Sequence, residues 1–244
     1  MERPGRFTLL DGSRLIVESC ARAGADAYIG YPITPASLIY GYASRRFPVI
    51  LPAPDEITAL QWMAGLSAAG KLPVTATSFP GLALMVESIN MAYMMELPML
   101  IILVQRLGPS TGTATAGAQD DLRFVHGIVS GGYPVPTFCV ADIGDCWQLP
   151  PVALQTALDL RTPVVLLTSK EMVMTERSFD LSRLGDVSPV ERSWYEGAEP
   201  YRPYAADEGE VPPFLPIGDD WHRVRMTAST HDREGILRHS TGEA

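Results

Sequence analysis

The run Met99–Val104, MLIILV, limits the fold more than any other feature of this chain. Its consecutive apolar side chains have no polar face to turn to water. As a strand the run must be buried on both sides, and it is far too short to span a bilayer. A strand covered on both faces belongs to the interior of a parallel sheet that carries helices on each side.

The flanking sequence supplies the rest of such a fold. Helical recurrence runs over Asp11–Ala23 and stops at Gly24; Ala36–Arg46 follows, then Glu56–Gly70, whose small residues on one face permit close packing. Short β-rich runs at Ala27–Gly30, Val49–Leu51 and Leu72–Thr77 alternate with these helices. A helix over Leu82–Met95 leads into the central strand, and strand Thr137–Ala141, helix Val152–Leu160 and strand Pro163–Thr168 complete the series. The alternation predicts an α/β fold, a parallel sheet flanked by helices, over residues 1–177. In such folds ligands gather outside the carboxyl ends of the strands, where TSFPG and QRLGPSTG fall.

Beyond Glu176 both periods vanish and Pro, Gly, Asp and Glu crowd the chain, so residues 178–244 read as an extended connector or docking tail. Disorder and an arm that wraps a partner are both open for it. Trp194, Tyr195, Tyr201, Tyr204, Phe214 and Trp221 favour the arm, because disordered tails are poor in aromatics.

Composition removes several functions. The net charge is -9, from 28 acidic and 19 basic residues, and no Lys/Arg block could follow a phosphate backbone, which argues against nucleic-acid binding. Met1–Leu10 lacks the basic start and apolar run of a signal peptide, so the expectation is a cytoplasmic protein with no membrane association. Cys20, Cys139 and Cys146 form no CxxC and have no neighbouring His, so the sequence offers no metal-ligand set and no iron-sulfur cluster of its own.

Three segments could carry chemistry. GYPITPAS, Gly30–Ser37, holds the Thr34 hydroxyl between two prolines; it suits a small ligand, or simply caps the next helix. Glu56 opens an apolar helix after PAPD, where a desolvated carboxyl could share a proton with a ring nitrogen, or only complement the helix dipole. RLGPSTG, Arg106–Gly112, sets a guanidinium, two hydroxyls and two glycines on one loop, a chemistry fitted to an anion, although it is no P-loop. His126 lies in VHG with no partner mapped, and His222, His231 and His239 fall in the tail.

Read in order, GYPITPAS, PDEITAL, TATSFPGLALMVESINMAYMMELPMLII, QRLGPSTG and QDDL resemble the alpha-type subunit of the 2-oxoacid:ferredoxin oxidoreductases, in particular the 2-oxoglutarate-like branch. PYRPY, VPPFLPIG and THDREG in the tail resemble the family's connector. The resemblance implies a domain that binds the aminopyrimidine end of thiamine diphosphate, while a beta-type partner subunit holds the diphosphate and its Mg²⁺. Glu56 matches the cofactor-activating glutamate of the family, and Tyr31, Pro32, Ile33 and Ser78 would join it in binding the cofactor. Thr34, Arg106, Ser110 and Thr111 match the substrate side. The implied reaction is oxidative decarboxylation of a 2-oxoacid such as pyruvate or 2-oxoglutarate to acyl-CoA and CO₂, or its reverse, in a hetero-oligomer. Coenzyme A is the acyl acceptor, and [4Fe-4S] clusters in partner subunits pass the electrons to ferredoxin.

The sequence departs from the family at several points. GPSTGxPT reads GPSTGTAT, with Ala114 in place of Pro; Ala116, Gly117 and Ala118 replace a polar stretch; Phe79 stands where TSGPG has Gly; and Ser130 or His126 occupies the family's HG histidine. Family alpha subunits also continue into a second α/β domain, whereas this sequence stops at Ala244, which leads to the expectation that another polypeptide supplies that domain or that the complex works without it. A non-oxidative thiamine-dependent decarboxylase or carboligase subunit, and a non-catalytic scaffold, remain as alternatives.

Overall fold

The structure, a computed structural model, describes residues 7–238. His239 therefore lies outside the described residues.

The elements are β1 (Phe7–Leu10), α1 (Gly12–Arg22), β2 (Ala27–Gly30), α2 (Ser37–Arg46), β3 (Val49–Pro52), α3 (Glu56–Ala68), β4 (Pro73–Thr77), α4 (Phe79–Met94), β5 (Met99–Gln105), α5 (Leu122–His126), β6 (Thr137–Cys139), α6 (Asp145–Asp159), β7 (Pro163–Ser169), α7 (Lys170–Met174) and β8 (Arg177–Asp180). Six strands form one sheet in the order β3-β2-β4-β5-β7-β6, and every pairing in it is parallel.

The MLIILV run does what its composition requires. Along β5, Leu100, Ile102 and Val104 enter one core while Met99, Ile101 and Leu103 enter the other, and all six are buried. Strand β7 alternates in the same way, Val164 and Leu166 against Val165 and Leu167. One core packs the sheet against α1, α2 and α6, and the other packs it against α3 and α4. None of the helices among the described residues is long and apolar enough to cross a membrane.

Helices α4 and α6 begin earlier than the apolar periodicity indicates. In α4, Pro80 occupies the first turn, where its missing N–H is no loss, so the helix starts at Phe79 instead of Leu82. Helix α6 starts at Asp145 and runs through Pro150 and Pro151. Pro151 cannot donate to the carbonyl of Trp147 four residues back. The Ser19 hydroxyl of α1 donates to that carbonyl instead, at 2.6 Å, which joins the helices at the point where the ladder is broken.

Beyond Glu176, β8 corrects the expectation that no strand survives: Arg177–Asp180 pairs antiparallel with β1, Phe7–Leu10. Both strands are four residues long and largely exposed, so neither shows the two-residue alternation that marks a buried strand.

The rest of the tail is irregular but packed on its own domain. Phe214 is buried in the α3/α4 core with Trp194 beside it, ring centroids 5.7 Å apart. Ile217 N donates to Ala68 O at 2.8 Å, and Arg192 pairs with Asp26 at 2.8 Å. Arg161, 2% exposed, donates to Pro203 O at 2.8 Å and Pro212 O at 3.0 Å and pairs with Glu96 at 3.2 Å. Trp221, by contrast, is 90% exposed.

Ser19→Ala should leave the Trp147 carbonyl buried and unpaired. The expected cost is about 1–3 kcal/mol of stability, read as a lower midpoint in thermal or urea unfolding.

Candidate active site

The chain leaves β2, adds β3 on one side, and returns to add β4 on the other, so the strand order reverses between β2 and β4. A crevice opens at the carboxyl ends of such a pair because the following connections diverge. Four loops meet there: those after β2, β3, β4 and β5.

Glu56 arrives from β3. Asp55 is the N-cap of α3, its carboxylate accepting from Thr58 N at 2.7 Å, and Glu56 is the first helical residue. Its side chain turns inward and is only 6% exposed. Burial raises its carboxyl above the usual range, its own backbone N–H acts in the opposite direction, and the neighbouring Asp55 charge adds to the rise. The first turn of α4 gives it room: a Cβ on Gly81 would lie 2.1 Å from Thr77 Oγ1 and 2.6 Å from Glu56 Oε1. Glycine is thus required for α4 to approach this carboxyl. Ser78, the N-cap of α4, is fully buried with an unpartnered Oγ. The buried Glu56 carboxyl, held above its ordinary range, and the unpaired Ser78 hydroxyl are buried polar groups of the kind that suit the edge of a nitrogen heterocycle.

Arg106 comes from the end of β5. It is 4% exposed, and its Nη1 donates to Thr34 O at 2.5 Å, which ties the loop after β2 to the loop after β5. The Thr34 contact is through the backbone carbonyl, not through the hydroxyl that the sequence singles out. Tyr31 and Pro32 are exposed on the same loop, Thr34 is half-buried, and Ile33 packs onto the α1/α2 core. Ser110 and Thr111 sit at the exposed tip of the β5 loop. That loop closes on itself: Leu107 N donates to Ala116 O at 2.8 Å and Thr113 N to Leu107 O at 2.9 Å. Gly112 has φ 53°, and a Cβ there would lie 1.7 Å from Leu107 O. The altered stretch Ala114–Ala118 is therefore part of a hydrogen-bonded loop. His126 lies exposed at the end of α5, and Ser130 N donates to Asn90 Oδ1 at 2.8 Å.

Two residues to which the sequence assigns no individual role enter the site because this loop returns to its own strand. Asp120 Oδ2 accepts from Gly108 N at 3.1 Å. Asp121 is 3% exposed, its Oδ2 has no partner, and Arg106 Nε is likewise unpaired. Burial is the main cause that pushes the Asp121 carboxyl up to about 6; Asp120 adds to the rise and Arg106 opposes it. The paired acids of QDDL, placed a loop's length after Arg106, were the available signal.

Because the folded protein holds the Asp121 proton more tightly than the unfolded chain, this stability contribution is present below pH about 4 and is lost as pH rises through about 6. Asp121→Asn should therefore be flatter across this window, gaining on the parent as pH rises. Urea unfolding of both between pH 4 and 7 measures the difference.

The family model described as "Pyruvate flavodoxin/ferredoxin oxidoreductase, thiamine diP-bdg" matches residues 18–242. The 2-oxoglutarate synthase subunit KorA of Archaeoglobus fulgidus is 34% identical over 188 residues, 75% of this chain and 54% of that protein. A ketoisovalerate oxidoreductase subunit VorB of Methanothermobacter thermautotrophicus is 35% identical over 164 residues, 66% of this chain and 47% of that protein. The solved 2-oxoglutarate:ferredoxin oxidoreductase of Magnetococcus marinus, with 2-oxoglutarate, coenzyme A and succinyl-CoA bound, superposes with a TM-score of 0.90 at 29% identity over 98% of this chain and 42% of that one. The chain thus spans about half the length of these relatives, or less. With the family model matched over nearly the whole sequence, the chain belongs to the pyruvate flavodoxin/ferredoxin oxidoreductase family, as its thiamine diphosphate-binding part.

Proposed function

We propose that this chain is the pyrimidine-side subunit of a thiamine diphosphate-dependent 2-oxoacid:ferredoxin oxidoreductase. The reaction is decarboxylation of a 2-oxoacid with acyl transfer to coenzyme A, or its reverse. The observation that carries the reading is the inward-facing, protonatable Glu56 at the switch point, packed against a glycine that admits it. Glu56 and Ser78 hold the pyrimidine edge, with Tyr31, Pro32 and Ile33 on the loop alongside. Thiamine diphosphate, when bound, supplies the carbon nucleophile for the 2-oxo carbon and the sink for the electrons left as CO₂ departs.

The chain's own contribution is proton control and positioning. Burial moves the Glu56 carboxyl toward sharing a proton with a ring nitrogen, and a partly desolvated seat strengthens that hydrogen bond. Arg106, held by Thr34 O, offers its remaining N–H groups to the C1 carboxylate, with Thr34, Ser110 and Thr111 around the same opening.

Other chains complete the assembly: a beta-type subunit for the diphosphate and Mg²⁺, and [4Fe-4S]-bearing partners that pass electrons to ferredoxin. The domain structure proposed is residues 1–177 as the pyrimidine-binding unit and 178–244 as connector or docking tail. The compartment proposed is the cytoplasm.

Glu56→Gln in the reconstituted complex should lower turnover by about 10²–10⁴-fold while thiamine diphosphate still binds in calorimetry. Unchanged turnover would remove Glu56 from the chemistry and favour a scaffold role. Arg106→Lys keeps the charge but not the fork, so KM for the 2-oxoacid should rise about 10–100-fold. Iron assay and ferredoxin reduction on the same sample separate the oxidative reaction from a non-oxidative one.

A further inference from the structure

We infer that the 2-oxoacid taken at this site carries an uncharged, apolar side chain and not a second carboxylate, and that Phe79 and Asp120 enforce the choice. The inference rests on the reaction class proposed above and narrows its substrate. Relatives of similar identity are split on this point, one acting on 2-oxoglutarate and another on ketoisovalerate, so overall similarity does not decide it.

The lining of the opening beside Arg106 does. A cavity of about 360 Å³ is bounded by Phe79, Gly108, Pro109, Ser110, Asp120 and Asp121. That volume lies at the small end of ligand pockets. Among the described residues no lysine or arginine lines it, and Arg106, bonded to Thr34 O, is assigned to the carboxylate that every 2-oxoacid carries at C1. A distal carboxylate entering the cavity would meet the Asp120 carboxylate without a cation to offset it. Asp120 is itself exposed, and like charges brought to close range oppose binding. Asp120 is not free to swing away, because its Oδ2 accepts from Gly108 N at 3.1 Å and so helps to close the loop. Asp121, whose carboxyl is pushed up to about 6, adds a second acid to the same wall.

Phe79 and Pro109 supply the apolar part of the wall. Phe79 lines the cavity, and Phe124 of α5 meets its ring edge-on, centroids 5.3 Å apart and planes at 70°. Phe124 itself packs against the α3/α4 core. A branched aliphatic side chain gains contact with this ring and with Pro109, whereas a carboxylate gains nothing from either.

The test uses the purified native complex. Ferredoxin-linked oxidation is measured with 2-oxoisovalerate and with 2-oxoglutarate, and binding of the unreactive 2-hydroxyisovalerate and 2-hydroxyglutarate is measured by calorimetry. The expected result is a kcat/KM at least roughly tenfold higher for the branched acid, about 1.4 kcal/mol, with binding in the same order. Asp120→Asn, which keeps an acceptor for Gly108 N, and Phe79→Gly should each narrow the ratio in both measurements. Equal or better use of 2-oxoglutarate by the parent complex overturns the inference while leaving the reaction class intact. Ratios unmoved by both substitutions overturn the assignment to Phe79 and Asp120, and oxidation of neither acid, nor of pyruvate measured alongside them, overturns the reaction class and this inference together.

Discussion

The site depends on the places where β2, β4 and β5 end. Their pairing is held by backbone hydrogen bonds and by side chains that feed two cores in strict alternation, so the strand ends are fixed relative to one another by the most buried part of the molecule. Ser78 and Arg106 directly follow such ends, and Glu56 lies a few residues past the end of β3, which pairs with β2. None needs a long loop to reach its position, and their mutual placement inherits the stiffness of the sheet.

That stiffness allows acids of different character to coexist in a small region. Asp55 sits half-buried at a helix N-cap, and its hydrogen bonds from the start of α3 hold it below the usual carboxylate range. Glu56, the next residue, turns inward and is raised by burial. The two acids differ through the direction in which the first helical turn points them. A similar contrast separates Asp120, which accepts from Gly108 N, from Asp121, which has an unpartnered buried oxygen. In each pair one acid secures backbone and the other is left protonatable beside an opening, the division expected where structure and proton chemistry share a short segment.

Much of this was legible in the sequence. The central strand, the alternation around it and the helix beginning at Glu56 follow from composition and period, and the ordered motifs bring Glu56, Thr34 and Arg106 to one end of a sheet. What escaped were features that depend on contacts distant in sequence. Proline argues locally against a helix, yet α6 passes through Pro150 and Pro151 because Ser19, more than a hundred residues earlier, supplies the missing donor. The β1-β8 ribbon joins the two extremities of the domain through short exposed strands with no apolar alternation. Asp121 reads as one more surface acid until the β5 loop is seen to fold back onto Leu107. The Thr34 side chain drew notice for its hydroxyl, while the bond that ties it to Arg106 uses the carbonyl, a group every residue has.

The tail follows the same rule of satisfied backbone. Its proline-rich stretches have carbonyls to satisfy and few N–H groups with which to build a ladder, so they cannot make regular structure with themselves. Arg161 answers that deficit from within the domain: one buried guanidinium donates to the carbonyls of Pro203 and Pro212, balances Glu96 and lies over the Phe214 ring at 5.3 Å. A lysine could not serve these directions at once. The buried Phe214 then fills the α3/α4 core beside Trp194, so this part of the tail is a structural member of the domain. Trp221, a few residues further on, is 90% exposed, but the chain then returns: Met226 packs against the same core, and the His231 ring lies against Tyr204, centroids 3.7 Å apart.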